Sequence, residues 1–242
     1  MFKRPHHQRI ARILAALDAD LLRRHGCLFG GGTCIVLRHG EYRESVDIDF
    51  LVSDATGYRE LRQLLTGDRG INAITRHGAI PLIAMREIRA DQYGIRTLLQ
   101  IDAQPIKLEI VREARINLAP PGSHDVLCDV STLTTTDLAA SKLLANSDRY
   151  ADDGVFNRDL IDLAMMEANS AALHQALSTA EAAYGQAIRR DLAKAIERIK
   201  ARPGWLARCM QAMAMDMPEA LLWEKIRRIN RLYGKTELAD FS

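Results

Sequence analysis

The sequence lacks the features of disulfide-rich, secreted and membrane-spanning proteins. It contains four cysteines in 242 residues, and no two of them form a Cys-x-x-Cys pair, which is typical of proteins in a reducing compartment. No stretch approaches the roughly 18 uninterrupted apolar residues that a membrane-spanning helix needs. The basic N-terminus is not followed by the apolar segment of a signal peptide. We therefore expect a soluble cytoplasmic protein without membrane contact.

The sequence also lacks a large excess of charge of either sign. Its formal net charge is +2, which argues against a dominant electrostatic field for nucleic acid. Basic residues are nevertheless concentrated in two C-terminal segments. They are Arg189, Arg190, Lys194, Arg198, Lys200 and Arg202, then Lys225, Arg227, Arg228, Arg231 and Lys235. Two interpretations remain open: solvated helix faces with i,i+4 ion pairs, or a shelf for an RNA backbone.

A glycine-rich turn, Gly30-Gly31-Gly32-Thr33, is the first motif that indicates a binding site. It follows an apolar approach at 27–29 and precedes a helix-compatible stretch at 34–38. Glycine lets the backbone come close to a ligand because no Cβ intervenes. A turn that feeds a helix N-terminus directs backbone N–H groups at anions. Without other signals, three glycines would indicate only a turn.

Two aspartates follow on a strand-like segment, Val46-Asp47-Ile48-Asp49-Phe50. Alternate strand residues share a face, so Asp47 and Asp49 should point together with Cβ atoms roughly 6.5–7 Å apart. Carboxylates facing one space resist ionisation unless a cation neutralises them, and Mg²⁺ suits such oxygen ligands. Glu109, on a second strand-like segment, is the candidate third ligand. The alternative is the wet face of a half-buried sheet.

The sequence predicts two regions, residues 1–120 with mixed helices and strands and residues 121–242 with mainly helices. Pro120-Pro121-Gly122 separates them. In the first region we predict helices at 6–25 and at Tyr58–Leu65 with a Thr56 cap, strands at 71–74, 82–85, 97–101 and 107–111, and a hairpin connection at Asp91–Gly94. Helices at about 170–188, 190–201, 204–214 and 218–233 have the spacing of a bundle. His6 and His7 are interpreted as a solvated tail.

Charged residues recur at helical spacing just beyond the break. Thr136 can cap a helix from Asp137 to about Asn146, which would place Lys142 and Arg149 two turns apart on one face. A second helix, capped by Asn157, would carry Asp159 and Asp162 on one face. From these residues alone, an ion pair between Lys142 and these carboxylates is the preferred interpretation.

Together these motifs resemble the polymerase-β-like nucleotidyltransferases, and specifically the AbiEii/AbiGii toxin family. The resemblance rests on Gly-Gly-Thr, on Arg43 to Phe50, and on the later segments Thr136 to Ala145 and Arg158 to Leu163. It implies an α+β fold in which a nucleotidyltransferase domain, a mixed sheet flanked by helices, precedes a C-terminal helical bundle that contributes to the nucleotide site. Ser141 departs from the pattern, where an acidic residue is expected before the lysine.

The resemblance also implies metal-assisted transfer of a nucleotide from an NTP to an acceptor, with pyrophosphate as the leaving group. Asp47, Asp49 and Glu109 would be catalytic and hold Mg²⁺, or Mn²⁺ in its place, and Lys142 would offset charge on the triphosphate. The expected nucleotide-binding residues are Gly31, Gly32, Thr33, Arg43, Ser45, Lys142, Arg149 and Asp159. For Arg43, a solvated charge at a strand edge is the alternative.

The biological role that the resemblance implies is the toxin of a type IV toxin–antitoxin pair. Its acceptor would be an RNA such as a tRNA end, and its partner an antitoxin encoded nearby. Two other functions remain open: a nucleotidyltransferase that modifies a small molecule such as an antibiotic, and a nucleotide-binding protein without catalytic turnover.

Overall fold

A computed structural model describes residues 2–233 and divides the chain into two units. The first unit contains the chain up to Glu41 and Ser45–Thr134; the second contains Tyr42–Glu44 and the chain from Thr135 onward. The boundary that the sequence indicated at residue 120 therefore falls inside the first unit. The reason is that the segment after the prolines pairs back, with the Leu133 N–H donating to the Phe29 carbonyl at 2.9 Å.

The first unit combines helices with a mixed sheet, as the sequence predicted. Its helices are α1 (Pro5–Ala16), α2 (Ala19–Arg24), α3 (Gly31–Arg38) and α4 (Ala55–Thr66), with a 3₁₀ helix at Gly70–Ile74. Its strands are β1 (Leu28–Gly30), β2 (Ile48–Val52), β3 (Ile83–Ala84), β4 (Arg89–Ala90), β5 (Gly94–Ile101), β6 (Gln104–Arg112), β7 (Val126–Leu127) and β8 (Val130–Ser131). The main sheet has the order β1-β2-β6-β5-β3, with β4 also pairing with β5.

The register of this sheet places polar residues in one row. Strands β2 and β6 are parallel, with Asp49 opposite Glu109, and β1 is antiparallel to β2, with Gly30 opposite Asp49. Buried Ile48 and Phe50 alternate with half-buried Asp49, so the apolar side chains enter the core from the other face. The sheet therefore presents its acidic residues on the face opposite these core residues.

Several predicted elements are present and others differ. The strands predicted at 82–85, 97–101 and 107–111 correspond to β3, β5 and β6, and Asp91–Gly94 connects β4 to β5 as predicted. The strand predicted at 71–74 is wrong, because this segment is the 3₁₀ helix. Ile71, Ala73 and Ile74 are all buried. Burial of the adjacent residues 73 and 74 departs from the strict alternation of a strand with one buried face.

The helix predicted at 6–25 is interrupted, because Leu17 adopts an extended backbone and Asp18 starts a new helix. The Asp18 carboxylate accepts the Leu21 N–H at 2.9 Å, which satisfies one of the free donors at the start of α2. Helix α4 likewise begins with an Asp54 cap and not with the predicted Thr56.

The second unit is helical, as predicted. It contains α5 (Thr135–Arg149), a 3₁₀ helix (Asp153–Val155), α6 (Arg158–Met165), α7 (Ser170–Tyr184), α8 (Ala187–Lys200), α9 (Trp205–Ala212) and α10 (Glu219–Tyr233). In α10, Leu222, Ile226 and Ile229 are buried while Arg227 and Arg228 are exposed, which is the pattern of a bundle helix. Within residues 2–233, no helix is long and apolar enough to cross a membrane.

The Asp18 cap provides a stability test of the interrupted helix. Replacement Asp18→Ala should lower the free energy of unfolding by about 1 kcal/mol, because the Leu21 N–H loses its acceptor. Urea denaturation measures this loss. Asp20→Ala, an exposed change on the same helix, should cost less, and equal losses in the two variants would contradict the capping role.

Candidate active site

The glycine turn lies directly against the acidic strand. Helix α3 begins at Gly31, whose φ is +66°, a backbone conformation that glycine adopts readily. A Cβ added at Gly31 would lie 2.6 Å from Oδ2 of Asp49. The preceding Gly30 has no side chain to cap the first turn of α3. The turn thus combines a helix N-terminus that lacks a side-chain cap with a carboxylate in contact with its backbone.

Two hydroxyl groups fix the entry to the acidic strand. Thr33 is buried, and its hydroxyl donates to the Asp47 carbonyl at 2.5 Å. The hydroxyls of Thr33 and Ser45 lie 2.7 Å apart, and because Thr33 uses its single hydrogen for Asp47, Ser45 must be the donor. Both side chains were predicted as nucleotide contacts. In the structure their hydroxyl groups donate hydrogen bonds that hold residues 45–47 to α3.

The charges of the three predicted acidic ligands all act on one ammonium group, that of Lys107. Lys107 lies two residues before Glu109 on β6, and its Nζ donates to Glu109 Oε2 at 2.6 Å. Burial acts to lower the pKa of Lys107, but Glu109, Asp47 and Asp49 outweigh it and raise that pKa. Sequence reasoning missed Lys107, although a basic residue two positions from a strand carboxylate shares its face. The charge pattern could have revealed it.

Glu109 has both carboxylate oxygens in ion pairs. Its Oε1 accepts from Arg96 Nε at 2.5 Å and its Oε2 from Lys107. Burial would raise the pKa of Glu109, but these two cations hold the pKa below its usual value. Glu109 is therefore ionised near neutral pH, and it would have to exchange an ion pair before it could bind a metal ion.

The acidic row fits a divalent cation in the chemistry of its donors. Half-buried Asp47 and Asp49 supply hard oxygen ligands of the kind that Mg²⁺ accepts. Within the part of the chain that the structure describes, no group of three or more His, Cys, Asp or Glu side chains is arranged to hold a metal ion. The predicted roles of Asp47 and Asp49 as metal ligands, and of Glu109 as the third, therefore stay predictions.

A second cluster of charges is buried in the helical unit. Lys142 Nζ lies 3.0 Å from Asp159 Oδ1 and 2.7 Å from Asp162 Oδ2. Arg43 makes two hydrogen bonds to Asp162, at 2.7 and 2.9 Å, so it is not a solvated charge at a strand edge. Arg149 binds Asp159 in the same two-pronged manner, at 2.8 and 3.0 Å. Three cationic side chains therefore surround two carboxylates.

This cluster keeps its carboxylates ionised. Burial alone would raise the pKa of Asp162, but Arg43 and Lys142 lower the pKa well below its usual value. Since the folded pKa is depressed, the stabilisation is present above the unfolded pKa of about 4 and is lost as pH falls. Sequence analysis noted Asp162 only as a partner for Lys142. The nucleotide contacts predicted for Lys142, Arg43, Arg149 and Asp159 stay predictions.

The start of α6 differs from the sequence-based interpretation. Asn157 has a left-handed backbone and makes no side-chain cap. Its Oδ1 accepts the Trp205 indole N–H at 2.7 Å instead. The side-chain oxygen of Asn157 therefore links the beginning of α6 to α9 by a hydrogen bond and does not cap α6.

Many of the C-terminal basic residues have acidic partners. The ion pairs are Arg189–Glu181, Arg190–Asp191, Arg198–Asp153, Arg202–Asp153, Lys200–Glu197, Lys225–Glu167 and Arg227–Glu224. These pairs favour the solvated-face interpretation for the residues involved. Lys235 lies outside the described residues, and the RNA shelf stays a prediction.

Comparisons with known proteins identify the family and the fold. A model of the family described as "Nucleotidyl transferase AbiEii toxin, Type IV TA system" matches residues 12–229. The class of protein that this family defines is a nucleotidyl transferase. The chain belongs to the AbiEii nucleotidyl transferase toxin family.

Two solved structures from Helicobacter pylori share the fold. One, a crystal structure of a proposed nucleotidyltransferase from H. pylori, is 17% identical, with 95% of this chain and 93% of that chain covered and a TM-score of 0.51. The other, JHP933, is 15% identical, with 97% and 94% covered and a TM-score of 0.55. At such identities the likeness shows the fold alone. A comparison with curated proteins gave no significant match.

The contact between the glycine turn and Asp49 can be tested by a matched pair of substitutions. Gly31→Ala and Gly26→Ala both place alanine at a positive φ, +66° and +62°, but only the first would meet another group within 4 Å. We expect a loss of about 1–2 kcal/mol for Gly26→Ala from backbone strain. Gly31→Ala should lose at least about 1 kcal/mol more from overpacking. Similar losses by urea denaturation would contradict the close approach.

Burial should determine how much each charge cluster contributes to the free energy of unfolding. Asp162 and Asp153 each bridge two cationic side chains, but Asp162 is fully buried while Asp153 is half exposed. Asp162→Asn should lower the free energy of unfolding by about 3–5 kcal/mol, because buried Arg43 loses its carboxylate partner and Lys142 keeps only Asp159. Asp153→Asn should have a much smaller effect because water screens its pairs. Chemical denaturation of both variants measures this difference, which equal losses would refute.

Proposed function

We propose that this protein transfers a nucleotide from an NTP to an acceptor hydroxyl, with Asp47 and Asp49 holding a divalent cation. The observation that carries the proposal is the contact between Gly31 and Asp49. A helix N-terminus attracts phosphate, whereas a carboxylate in contact with the same turn repels it. A cation between the two resolves this conflict, and a metal–triphosphate complex brings that cation with it.

The chain's own residues have distinct roles in this reaction. The backbone N–H groups of Gly31 and Gly32 contact the phosphate oxygens and orient the chain of phosphates. The acceptor oxygen forms a bond to the α-phosphorus, while the bond to the bridging oxygen breaks and pyrophosphate leaves. Glu109, ionised because of its two cationic partners, is the nearby carboxylate proposed to accept the hydroxyl proton. A bound Mg²⁺ or Mn²⁺ would supply electrostatic stabilisation of the phosphate oxygens.

The acceptor that we propose is RNA, with a tRNA end as the first candidate. The support is the family, whose description includes a type IV toxin–antitoxin system. On the same basis we propose that the protein acts in the cytoplasm as the toxin of such a pair, with a cognate antitoxin as its partner. The small-molecule and non-catalytic alternatives are separate outcomes of the experiment below.

Incubation of the protein with each labelled NTP, Mg²⁺ and total tRNA tests the proposal. Label should be incorporated into RNA, together with release of pyrophosphate. Label on an added aminoglycoside but not on RNA would support a small-molecule enzyme and reject the RNA acceptor. No transfer to either, despite NTP binding, would reject catalysis.

Asp49→Asn tests the metal site within the same assay. The change removes a charged ligand at nearly constant volume, so transfer should fall at least about 100-fold while the fold is retained. Circular dichroism and urea denaturation verify the fold. Asp68→Asn, at an exposed position, is the control and should keep full activity. Undiminished transfer by Asp49→Asn would remove Asp49 from the mechanism.

A further inference from the structure

The imidazole of His7 contacts the residues on both sides of the short segment Tyr42–Glu44. His7, on α1, is fully buried, so its interpretation as part of a solvated tail is wrong. Its Nδ1 lies 2.8 Å from Glu41 Oε1, and its Nε2 lies 3.2 Å from the Ser45 backbone nitrogen. Glu41 and Ser45 are the residues on either side of Tyr42–Glu44, which belongs to the second unit. We call His7, Glu41 and Ser45 the histidine clasp.

The partners of His7 define its tautomer. A backbone N–H can only donate, so Nε2 must be the unprotonated acceptor for Ser45. The hydrogen is therefore on Nδ1 and is donated to the Glu41 carboxylate. Glu41 is itself held by the backbone N–H groups of Lys3 and Arg4, at 2.6 and 3.1 Å. The clasp thus rests on a neutral ring with a fixed orientation.

Further hydrogen bonds connect the histidine clasp to Asp47, the residue just before β2. Ser45, whose N–H is held by His7, donates its hydroxyl to Thr33, and Thr33 donates to the Asp47 carbonyl. His6 adds a bond of 2.9 Å to the carbonyl of Val46. Every residue from 45 to 47 is therefore tied to α1 or α3.

We propose that His7 is a positioning residue for the acidic site, because its acceptor nitrogen holds Ser45 and thereby sets the place of Asp47. The proposal rests on the proposed function, since it concerns the site at which a divalent cation would bind. His7 does not touch the reacting groups. Its effect should be transmitted through the Ser45 N–H bond and not through the contact with Glu41.

Two substitutions separate these contacts. In His7→Gln, the side-chain amide reaches the position of Nε2 and can still accept the Ser45 N–H. In His7→Asn, the shorter amide reaches the position of Nδ1 and can still donate to Glu41, but the Ser45 N–H loses its acceptor. Both variants keep a neutral polar side chain, so a difference between them reports the bond to Ser45.

The readouts are Mn²⁺ affinity of the protein alone, by electron paramagnetic resonance, and kcat and KM for transfer. His7→Asn should weaken Mn²⁺ binding or lower kcat about 10- to 100-fold, as expected when a group that orients a metal ligand is removed. KM for the acceptor should change little. His7→Gln should stay within about threefold of the unmutated protein in both measurements.

Equal behaviour of the two variants, whether both normal or both impaired, would overturn the proposal. Absence of Mn²⁺ binding and of transfer in the unmutated protein would instead reject the proposed function itself. Nitrogen-15 NMR of the unmutated protein gives a check that does not depend on variant folding. The His7 ring should show a protonated Nδ1 and an unprotonated Nε2 at neutral pH, and the opposite tautomer would refute the clasp.

Discussion

The contact between the Gly31 backbone and the Asp49 carboxylate is the constraint on which the candidate site depends. It arises because β1 ends at Gly30, opposite Asp49 in the sheet, and α3 begins at the next residue. The start of a helix and an acidic side chain are thereby forced together, and any Cβ at Gly31 would separate them. A favourable place for phosphate thus lies beside an unfavourable charge, and a cation is the natural way to combine the two.

The helical unit solves a different electrostatic problem. Asp159 and Asp162 are removed from water, which costs several kcal/mol for each isolated charge. Lys142, Arg43 and Arg149 offset this cost through short, well-oriented ion pairs. The sequence alone favoured an ion pair between Lys142 and these carboxylates. The structure contains this ion pair. The contact of Lys142 with a triphosphate, which the sequence resemblance implied, stays a prediction.

The sequence predicted the parts of the site that depend on local spacing. Alternation along β2 and the glycine turn were sufficient to identify Asp49 and Gly31, since both patterns are local. Glu109 was expected on a neighbouring strand, but its register opposite Asp49, the ion pair between Arg43 and Asp162 and the burial of His7 were not predictable in this way. They depend on contacts between residues 34 to 119 positions apart in the chain. Two adjacent histidines near a basic N-terminus carry no local signal that one of them is buried.

The most direct measurement is anomalous diffraction from crystals containing Mn²⁺ and a non-hydrolysable NTP analogue. The account predicts an Mn²⁺ peak bound by the carboxylates of Asp47 and Asp49, with triphosphate oxygens within hydrogen-bonding distance of the Gly31 and Gly32 N–H groups. An Mn²⁺ peak away from both aspartates, or a triphosphate that does not contact the glycine turn, would contradict it.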